Sequence, residues 1–357
     1  MTPLIQANQR IIRFGIVGTG RIAGDFASDL KLVPNVALQA VLSRNRAGGE
    51  TFKAANGSVQ AYDSIDEFMV DPNVDVVYIA SPNTAHVAQA LRAIRAKKAV
   101  LIEKPMASSE PEAQVIGREA LKYGVLAMEA MWIRFLPGIL KAKALVQAGA
   151  IGDLIRVNGQ LSYKKQYDTE SRMFNKSLGG GASLDLGVYL LSLTTFLFGE
   201  PSSISGSWKA APSGVDLEAI YTLIYPQFQA QLSPSFARDG GNVFEVEGST
   251  GILRIEDPFI KGQTVRILRG RAAKSGLTRP PFDGPMNTFQ KLSARLPLPG
   301  QEVWHFPYPG HGLQFEAAAM AEMVRNGATH SSVVPLGDSA SVLRMIGLVL
   351  SRPPTHD

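Results

Sequence analysis

A glycine-rich turn near the amino terminus places the strongest constraint on how this 357-residue chain can fold. The apolar run Ile12–Val17 leads into Gly18-Thr19-Gly20, and Ala23 completes the spacing G-x-G-x-x-A. The first glycine allows a tight turn out of a strand, the second lets backbone approach a pyrophosphate, and the small third residue lets a helix pack on the strand. The N–H groups at the start of that helix would face the phosphates. The turn therefore predicts a dinucleotide-binding domain, with contacts to the cofactor from Gly18, Thr19, Gly20, Arg21 and Ile22.

Short apolar runs alternate with helix-like stretches throughout the first third of the chain. The runs predict strands at 12–17, 37–42, 74–80, 99–102 and 125–128, and helices at 85–95 and 111–123. Such alternation is typical of a parallel α/β sheet with right-handed crossovers. Because the pattern changes near Glu129, we place a Rossmann domain at residues 1–129 and a substrate-binding and oligomerisation domain at 130–357.

Strand-like runs follow one another in the second part, after one predicted helix at 137–149. They lie at 154–164, 203–209, 219–225, 227–236, 242–247 and 251–255, and residues 248–251 (Gly-Ser-Thr-Gly) predict a hairpin turn. Two predicted helices, 312–326 and 337–351, close the chain, and 337–351 is expected to pack back on the first domain. The fold class is therefore α/β plus α+β: a Rossmann domain, then an open, mainly antiparallel sheet covered on one face by helices.

Residues 258–310 differ from the rest of the chain in composition. They contain eight Pro, six Gly and eight Lys or Arg against only Asp283 and Glu302, so their net charge is +6 within a chain of +5. We interpret the segment as a long solvated loop region over a sheet edge. An anion-facing or inter-subunit arm is the functional alternative.

The end of the second predicted strand bears on which dinucleotide fits. An acidic residue there would bind the ribose 2′-hydroxyl and repel a 2′-phosphate. This chain has Ser43 and Arg44 at that place instead. A hydroxyl and a guanidinium can both bind a phosphate. The pair therefore favours NADP over NAD as the cofactor, although Arg44 at an ordinary solvated helix start is the structural alternative.

Polar residues also follow two neighbouring strands, at the sheet edge where doubly wound folds bind ligands. A lysine at an otherwise apolar strand end is costly unless it reaches solvent or a partner. Taken singly, Lys104 and His86 are more typical of structural residues than of a site. The residues expected to contact the cofactor here are Ser81, Pro82, Asn83, His86, Glu103 and Lys104.

A second glycine-rich stretch, residues 179–181, precedes Asp185 and Tyr189. On a helix these two residues lie four apart and share one face. A tyrosine beside the Lys104 ammonium and a cationic nicotinamide should have a lowered pKa, which would suit a general base for a hydroxyl proton. The structural alternatives are a helix N-cap for Asp185 and a core aromatic for Tyr189.

Several functions are excluded by what the sequence lacks. Without cysteine there is no disulfide framework, cysteine zinc site or thiol nucleophile, and the five histidines lack metal-ligand spacing. No phosphate-binding P-loop, no serine nucleophile elbow and no nucleic-acid-binding pattern is present. The longest uncharged stretch, 219–237, is broken by prolines, and the amino terminus lacks an export signal. We therefore expect a cytoplasmic protein with no metal, membrane or nucleic-acid partner.

Together these motifs resemble the glucose–fructose oxidoreductase/inositol dehydrogenase family, often written Gfo/Idh/MocA. The resemblance is carried by Gly18-Thr19-Gly20, by Glu103-Lys104-Pro105 and by residues 179–181 followed by Asp185 and Tyr189, in that order. It spans nearly the whole chain. The stretch 129–135 (EAMWIRF) is similar to the E-A-x-W-x-R-F stretch of the branch that contains dimeric dihydrodiol dehydrogenases and NADP-dependent D-xylose dehydrogenases. Tyr189 is similar to the tyrosine of that branch, where inositol dehydrogenases carry a histidine.

The resemblance implies an NADP-dependent oxidoreductase that transfers a hydride between nicotinamide and a hydroxyl-bearing carbon of a sugar, cyclic polyol or dihydrodiol. It implies that Lys104 lowers the pKa of Tyr189 and orients the substrate hydroxyl, and that Asp185 binds or polarises substrate. It also implies a homodimer or homotetramer formed through the open sheet face. The substrate pocket is expected to include Arg134, Tyr163 and Arg172, with Lys164 beside them.

Two other functions remain open at this point. Some relatives of the family cleave glycosides with a retained nicotinamide, so a hydrolase is one alternative. A protein that binds NADP without catalysis is the other.

Overall fold

The computed structural model describes residues 10–57, 60–270 and 300–355. The first sheet has six parallel strands in the order β3-β2-β1-β4-β5-β6. The order reverses beside β1, where doubly wound sheets open a crevice for ligands. The strands are β1 (Ile12–Val17), β2 (Val36–Leu42), β3 (Gln60–Tyr62), β4 (Val76–Ile79), β5 (Ala99–Glu103) and β6 (Ala127–Ala130).

Five helices cover the two faces of this sheet, which is why β4 is buried along its whole length. They are α1 (Arg21–Leu30), α2 (Arg46–Asn56), α3 (Ile65–Val70), α4 (Asn83–Arg95) and α5 (Glu110–Tyr123). The predicted Rossmann architecture is confirmed. The three-residue β3 and the short α3 were not predicted, because neither is long enough to show a period.

The second sheet has eight strands in the order β14-β13-β12-β11-β7-β10-β9-β8. All neighbouring pairs are antiparallel except β7 and β10, and the predicted hairpin turn joins β11 to β12. The open, mainly antiparallel sheet is therefore confirmed. Its strands are β7 (Leu154–Ser162), β8 (Ser203–Ala210), β9 (Asp216–Ile224), β10 (Gln229–Ser235), β11 (Phe244–Gly248), β12 (Gly251–Ile255), β13 (Thr264–Leu268) and β14 (Gln301–His305).

The interpretation of residues 258–310 as a loop region is wrong for the parts that the structure describes. Strands β13 and β14 both lie in this segment and pair at one edge of the second sheet. Val265 and Ile267 are fully buried while Thr264 and Arg266 are not, so β13 is an ordinary half-buried strand. The high Pro and Gly content of residues 258–310 favoured a loop, so this short alternation of apolar and polar residues was not interpreted as a strand. Residues 271–299 lie outside the described residues.

Among the described residues of the second part there are four α-helices: α6 (Pro137–Gln147), α7 (Val188–Phe198), α8 (Leu313–Arg325) and α9 (Leu336–Leu350). Helix α8 packs against α1, and α9 packs against α5, α7, β6 and β8. Both closing helices therefore contact elements of the first domain. One stretch, Lys176–Phe198, meets the length and hydropathy requirements for a membrane span, but 83% of its most apolar part is buried inside the protein. It contains α7, a core helix.

Candidate active site

The turn after β1 has the geometry of a phosphate-binding turn. Gly18 has φ +109°, and a Cβ there would lie 2.8 Å from the carbonyl oxygen of Ala80 at the end of β4. Gly20 is the N-cap of α1, no side chain caps that helix, and a Cβ on Gly20 would meet nothing within 4 Å. Thr19 and Arg21 are exposed beside it, and Ile22 is half-buried. The uncapped N–H groups and the open space above Gly20 fit the pyrophosphate of a dinucleotide.

Ser43 and the exposed Arg44 follow directly after β2. Ser43 is buried, and a Cβ on Gly48 would lie 2.9 Å from its hydroxyl, so Ser43 faces the start of α2. The Asn45 side chain caps that helix by accepting from the Gly48 N–H at 2.8 Å. Arg44 is exposed and makes no hydrogen bond or ion pair with any residue that the structure describes. Its guanidinium is therefore free to bind an anion.

The loop after β4 is built around a buried histidine. His86 Nδ1 lies 3.0 Å from the carbonyl oxygen of Pro105, and Nε2 lies 2.9 Å from that of Ser81. Burial lowers the pKa of His86. Both ring nitrogens face backbone carbonyls, so His86 joins the loops after β4 and β5 and has no nitrogen left for the predicted cofactor contact. Pro82 is exposed and Asn83 is buried at the start of α4.

Glu103 is buried, and its carboxylate is bound by two donors of the protein. Its carboxylate accepts from the Tyr78 hydroxyl and, at 3.1 Å, from the Lys104 N–H. Burial raises the pKa of Glu103. The Tyr78 ring stacks on Phe26 of α1, with centroids 3.8 Å apart. Glu103 therefore fixes the backbone from which Lys104 projects, and the Lys104–Pro105 bond that follows is cis.

The second glycine-rich stretch brings the two parts of the chain together. Gly181 has φ +123°, and a Cβ there would lie 2.1 Å from Oδ1 of the buried Asp216. Asp216 accepts from the Ser183 N–H at 2.7 Å. A Cβ on Gly179 would lie 3.4 Å from the side chain of Asn83. The stretch therefore lies between the second sheet and the start of α4.

Lys104 reaches across to the turn that follows this stretch. Residues Ser183–Gly187 form a π-helical turn before α7, where the sequence predicted an ordinary helix. Such turns are frequent at functional sites. Lys104 Nζ donates to the carbonyl oxygen of Asp185 at 2.8 Å and to its Oδ1 at 3.2 Å, and lies 4.4 Å from the centroid of the Tyr189 ring. An ammonium has three N–H donors, so one remains for a ligand oxygen.

Lys104 and Asp185 keep each other charged. Burial opposes ionisation of Asp185, but the charges of Lys104 and Arg172 outweigh it and lower its pKa below the ordinary value. Burial likewise opposes the charge of Lys104, and the Asp185 carboxylate raises the Lys104 pKa above its ordinary value. Arg172 contacts the same Oδ1 at 3.3 Å from the solvent side. The three groups carry a net positive charge beside Tyr189.

Tyr189 is only 8% exposed, and its hydroxyl oxygen accepts from the Trp132 indole at 3.1 Å. Burial raises the pKa of Tyr189, and the nearby Lys104 charge offsets this only in part. The lowered pKa expected from the sequence is therefore not found in this structure. The physical reason is that removing a phenolate from water outweighs one ammonium that lies over the ring.

Comparison with known proteins identifies the family. Residues 12–131 match the Gfo/Idh/MocA profile described as an oxidoreductase family with an NAD-binding Rossmann fold, and residues 139–254 match the C-terminal domain of the same family. A trans-1,2-dihydrobenzene-1,2-diol dehydrogenase from Bos taurus is 30% identical over 333 residues, which cover 92% of each chain. The chain belongs to the Gfo/Idh/MocA oxidoreductase family.

Two solved structures share the fold of this oxidoreductase. A 3-ketoreductase from Actinomadura kijaniata, in complex with NADP and TDP-benzene, matches with a TM-score of 0.78 at 23% identity, covering 95% of this chain and 97% of that one. A levoglucosan dehydrogenase, in complex with NADH and levoglucosan, matches with a TM-score of 0.78 at 19% identity, covering 95% and 96%. At these identities the likeness concerns the fold alone.

One residue expected to line the substrate pocket of the oxidoreductase, Arg134, lies elsewhere, and the place of Tyr163 in that pocket stays a prediction. Arg134 is 1% exposed; it donates to the Ser192 hydroxyl and carbonyl oxygens at 2.9 and 2.8 Å, and to Asp338 at 2.7 Å. It is a structural link from the turn after β6 to α7 and α9. Tyr163 is partly buried, with Asp257 close enough to raise its pKa further after burial. Of the three predicted substrate residues, only Arg172 contacts the Lys104–Asp185 pair.

Sequence reasoning missed one residue of this site, Trp132. It belongs to the short 3-10 turn Trp132–Phe135, directly after β6, and its N–H reaches Tyr189. From the stretch around it, a role in the site was predicted for Arg134 and none for Trp132. Among the residues that the structure describes, no three His, Asp or Glu side chains are grouped to hold a metal ion.

Proposed function

We propose that this oxidoreductase is an NADP-dependent dehydrogenase that interconverts a hydroxyl and a carbonyl on a sugar, cyclic polyol or dihydrodiol. The observation that carries the proposal is the position of Lys104 Nζ, which bonds Asp185 and lies over the Tyr189 ring at the carboxyl end of β5. The phosphate-binding turn after β1 and the loop after β4 lie at the same sheet edge. The dihydrodiol dehydrogenase relative supports the same chemistry.

In this proposal each residue of the group has its own task. The Tyr189 phenolate takes the proton of the substrate hydroxyl, and the third N–H of Lys104 stabilises the oxygen as negative charge develops on it. The bound nicotinamide supplies the hydride acceptor. Burial raises the Tyr189 pKa, and the positive charge of Lys104 lowers it in part, so Lys104 favours the phenolate.

Asp185 adds a preference for a second hydroxyl. Its Oδ1 accepts from both Lys104 and Arg172, whereas no described residue donates to its Oδ2. The Asp185 side chain is partly exposed, so this oxygen is open to a donor from the ligand. A vicinal diol offers one hydroxyl to Tyr189 and a neighbouring one to Asp185. This supports sugars, cyclic polyols and dihydrodiols as a class over isolated alcohols.

Arg44 supports NADP as the preferred cofactor. It follows β2 and has no partner among the described residues, and no acidic residue lies in the first turn of α2 to repel a 2′-phosphate. Replacing Arg44 by Ala is expected to weaken NADP binding about tenfold to a hundredfold, the value of one charge-assisted phosphate contact. NAD binding should change little. Calorimetric or fluorescence titration with both dinucleotides measures the two constants.

The matched control for that substitution is Arg46→Ala. Arg46 lies two residues further on and is already paired with Glu50 at 3.2 Å. Arg46→Ala should leave the dissociation constants of NADP and NAD near those of the wild type. Equal weakening of NADP and NAD by Arg44→Ala would contradict a 2′-phosphate contact, and tighter binding of NAD by the wild type would contradict the cofactor preference itself.

A direct test of the proposed function is a turnover panel. Purified protein is incubated with NADP or NAD and with aldoses, inositols and trans-dihydrodiols, and the absorbance of the reduced nicotinamide is followed. We expect turnover with at least one vicinal diol, faster with NADP. Cleavage of aryl glycosides without net nicotinamide reduction would favour a hydrolase, and cofactor binding without turnover across the panel would favour a binding protein.

Self-association through the second sheet is part of the same proposal. On the face of β9 that carries no helix, Ile220 and Ile224 are 43% and 38% exposed, beside Gln229 and Gln231 of β10. A wide sheet face with exposed apolar side chains is typical of a surface covered by a partner. A dimer or tetramer is expected in sedimentation, and a monomer at micromolar concentration would contradict it.

A further inference from the structure

We propose that Trp132 is a positioning residue, whose indole N–H holds the hydroxyl oxygen of Tyr189 and directs its proton towards the substrate. The inference rests on the proposed function, because it assigns the direction of proton transfer at that site. Among the described residues, Trp132 forms no hydrogen bond with the phosphate-binding turn or with the Lys104–Asp185 pair.

The hydrogen bond itself limits where the phenol proton can point. The indole nitrogen is a donor only, so at 3.1 Å the Tyr189 oxygen must be the acceptor. The two rings meet edge to face, with centroids 6.4 Å apart and an interplanar angle of 84°. With one lone pair occupied by Trp132, the Tyr189 O–H has to point away from the indole. Both side chains are more than nine-tenths buried, so water does not compete readily for these directions.

The indole is held in place from its other side. A Cβ on Gly312 would lie 2.9 Å from the ring of Trp132, so backbone packs directly on the indole. Lys261 Nζ lies 5.1 Å from the ring and donates to the carbonyl oxygen of His311 at 3.1 Å. The His311 N–H is bound at 2.9 Å by Asp29, which belongs to α1. The residues that clamp Trp132 are therefore tied to the helix that begins at the phosphate-binding turn.

The same bond stabilises the form of Tyr189 that accepts a proton. During oxidation the substrate O–H bond breaks and its proton joins the Tyr189 oxygen, while the C–H bond breaks and its electron pair leaves with hydrogen to the oxidised nicotinamide. The Trp132 N–H remains bound to the oxygen throughout. Hydrogen bonds to an ionised oxygen are stronger than those to a neutral one, so this donor favours the phenolate that starts the reaction.

The test is the pH profile of diol oxidation by Trp132→Phe. The variant keeps an aromatic ring and loses the N–H, so the rise of kcat/KM with pH is expected to move about one unit higher. At neutral pH the rate should fall about tenfold, and above the shifted limb it should approach the wild-type rate. Affinity for NADP should not change. A purely structural role would lower the rate at every pH without moving the limb.

The chain contains a matched control in Trp208→Phe. Trp208 also donates its indole N–H to a carbonyl, that of Arg352 at 2.8 Å, but it lies on β8 away from the site. Its profile should coincide with that of the wild type. If Trp132→Phe fails to fold, replacing Trp132 by β-(3-benzothienyl)alanine, which keeps the shape and lacks the N–H, should give the same shift. A profile superimposable on the wild type, with either substitution, overturns the proposal.

Including Tyr189→Phe in the same series separates this inference from the proposed function. If Tyr189→Phe turns over as fast as the wild type, Tyr189 does not take the proton, and both the function assigned to it and the role of Trp132 are wrong. If Tyr189→Phe is inactive while the Trp132→Phe profile is unshifted, only the positioning role is wrong. Loss of activity in Tyr189→Phe together with a shifted pH profile in Trp132→Phe supports both the proposed function and the positioning role of Trp132.

Discussion

Replacing Lys104 by Met is expected to lower kcat/KM about 10³-fold, since donors that stabilise a developing oxyanion are each worth 10² to 10³ and Lys104 also supports the phenolate. Met preserves the length of the apolar stem in the crevice and removes only the ammonium. The substrate oxygen then loses its cationic donor, and Tyr189 loses the charge that lies 4.4 Å from its ring centroid. Steady-state kinetics with the best substrate of the panel, together with NADP titration, measures the effect.

The control for this substitution lies at the other end of the same strand. Lys98 precedes β5, is partly buried, and donates to the carbonyl oxygens of Asp71 and Val74 at 2.6 and 2.8 Å. Lys98→Met removes a comparable ammonium with two acceptors but lies at the edge of the sheet away from the cofactor crevice. It should alter thermal stability and leave kcat/KM near the wild type. Retention of more than about a tenth of the wild-type kcat/KM by Lys104→Met would contradict an oxyanion role.

The substitution also tests the electrostatic description of the site. Without Lys104, Asp185 keeps only the exposed Arg172 as a counter-charge, so its pKa should rise from the lowered value that the pair maintains. A carboxyl whose pKa is lowered in the folded protein contributes stability above its unfolded pKa and loses it as pH falls. The free energy of unfolding should therefore differ less between neutral and acidic pH in Lys104→Met than in the wild type.

The first sheet was predictable because its signals are local. The turn at Gly18 and the run that becomes β4 show their character within a few residues, and strand–helix alternation implies the parallel sheet. The order of the eight-stranded sheet was not predictable, since the parallel pairing of β7 with β10 depends on contacts about seventy residues apart. Strands β13 and β14 were not predicted, because the prolines near them in the sequence indicated a loop region.

In the candidate site too, the features with a local sequence signal were predictable, and those that depend on tertiary packing were not. Lys104 and Asp185, which the structure brings into contact, were proposed from the sequence because a charge after an apolar strand, and a carboxylate after three glycines, are visible there. The π turn at Asp185 was not, because it depends on what packs around residues 183–187. Arg134 was misplaced for a related reason: polarity alone cannot tell a substrate ligand from a buried arginine that finds its acceptors on Ser192 and Asp338.

Replacing Tyr189 by Phe is expected to lower kcat for oxidation about 10² to 10⁴-fold, the range for loss of a general base. The phenyl ring keeps its packing beneath Lys104 and against Trp132, so substrate and NADP affinities should change much less than kcat. Removing the oxygen leaves the Trp132 N–H buried without an acceptor, which should lower stability by about 1 to 3 kcal/mol. Kinetics and thermal unfolding of the same preparations measure both effects.

Tyr225→Phe provides the comparison for the stability part of this result. Tyr225 is buried in the turn between β9 and β10, and its hydroxyl donates to the carbonyl oxygen of Gly199 at 2.9 Å. It loses a buried hydrogen bond as Tyr189→Phe does, so a similar fall in unfolding temperature is expected with full turnover. If both variants lost turnover equally, the effect at Tyr189 would be one of stability and not of proton transfer.

The pH dependence then decides whether Tyr189 is the base. In the wild type, oxidation should accelerate as pH approaches the raised Tyr189 pKa, because only the phenolate accepts the substrate proton. Phe has no proton to lose, so the residual rate of Tyr189→Phe should show no such limb. A limb that persists in this variant would assign the base to another group. Burial lowers the pKa of His86, and Lys104 lowers that of Asp185, so neither group titrates in the alkaline range where the raised Tyr189 pKa places the limb.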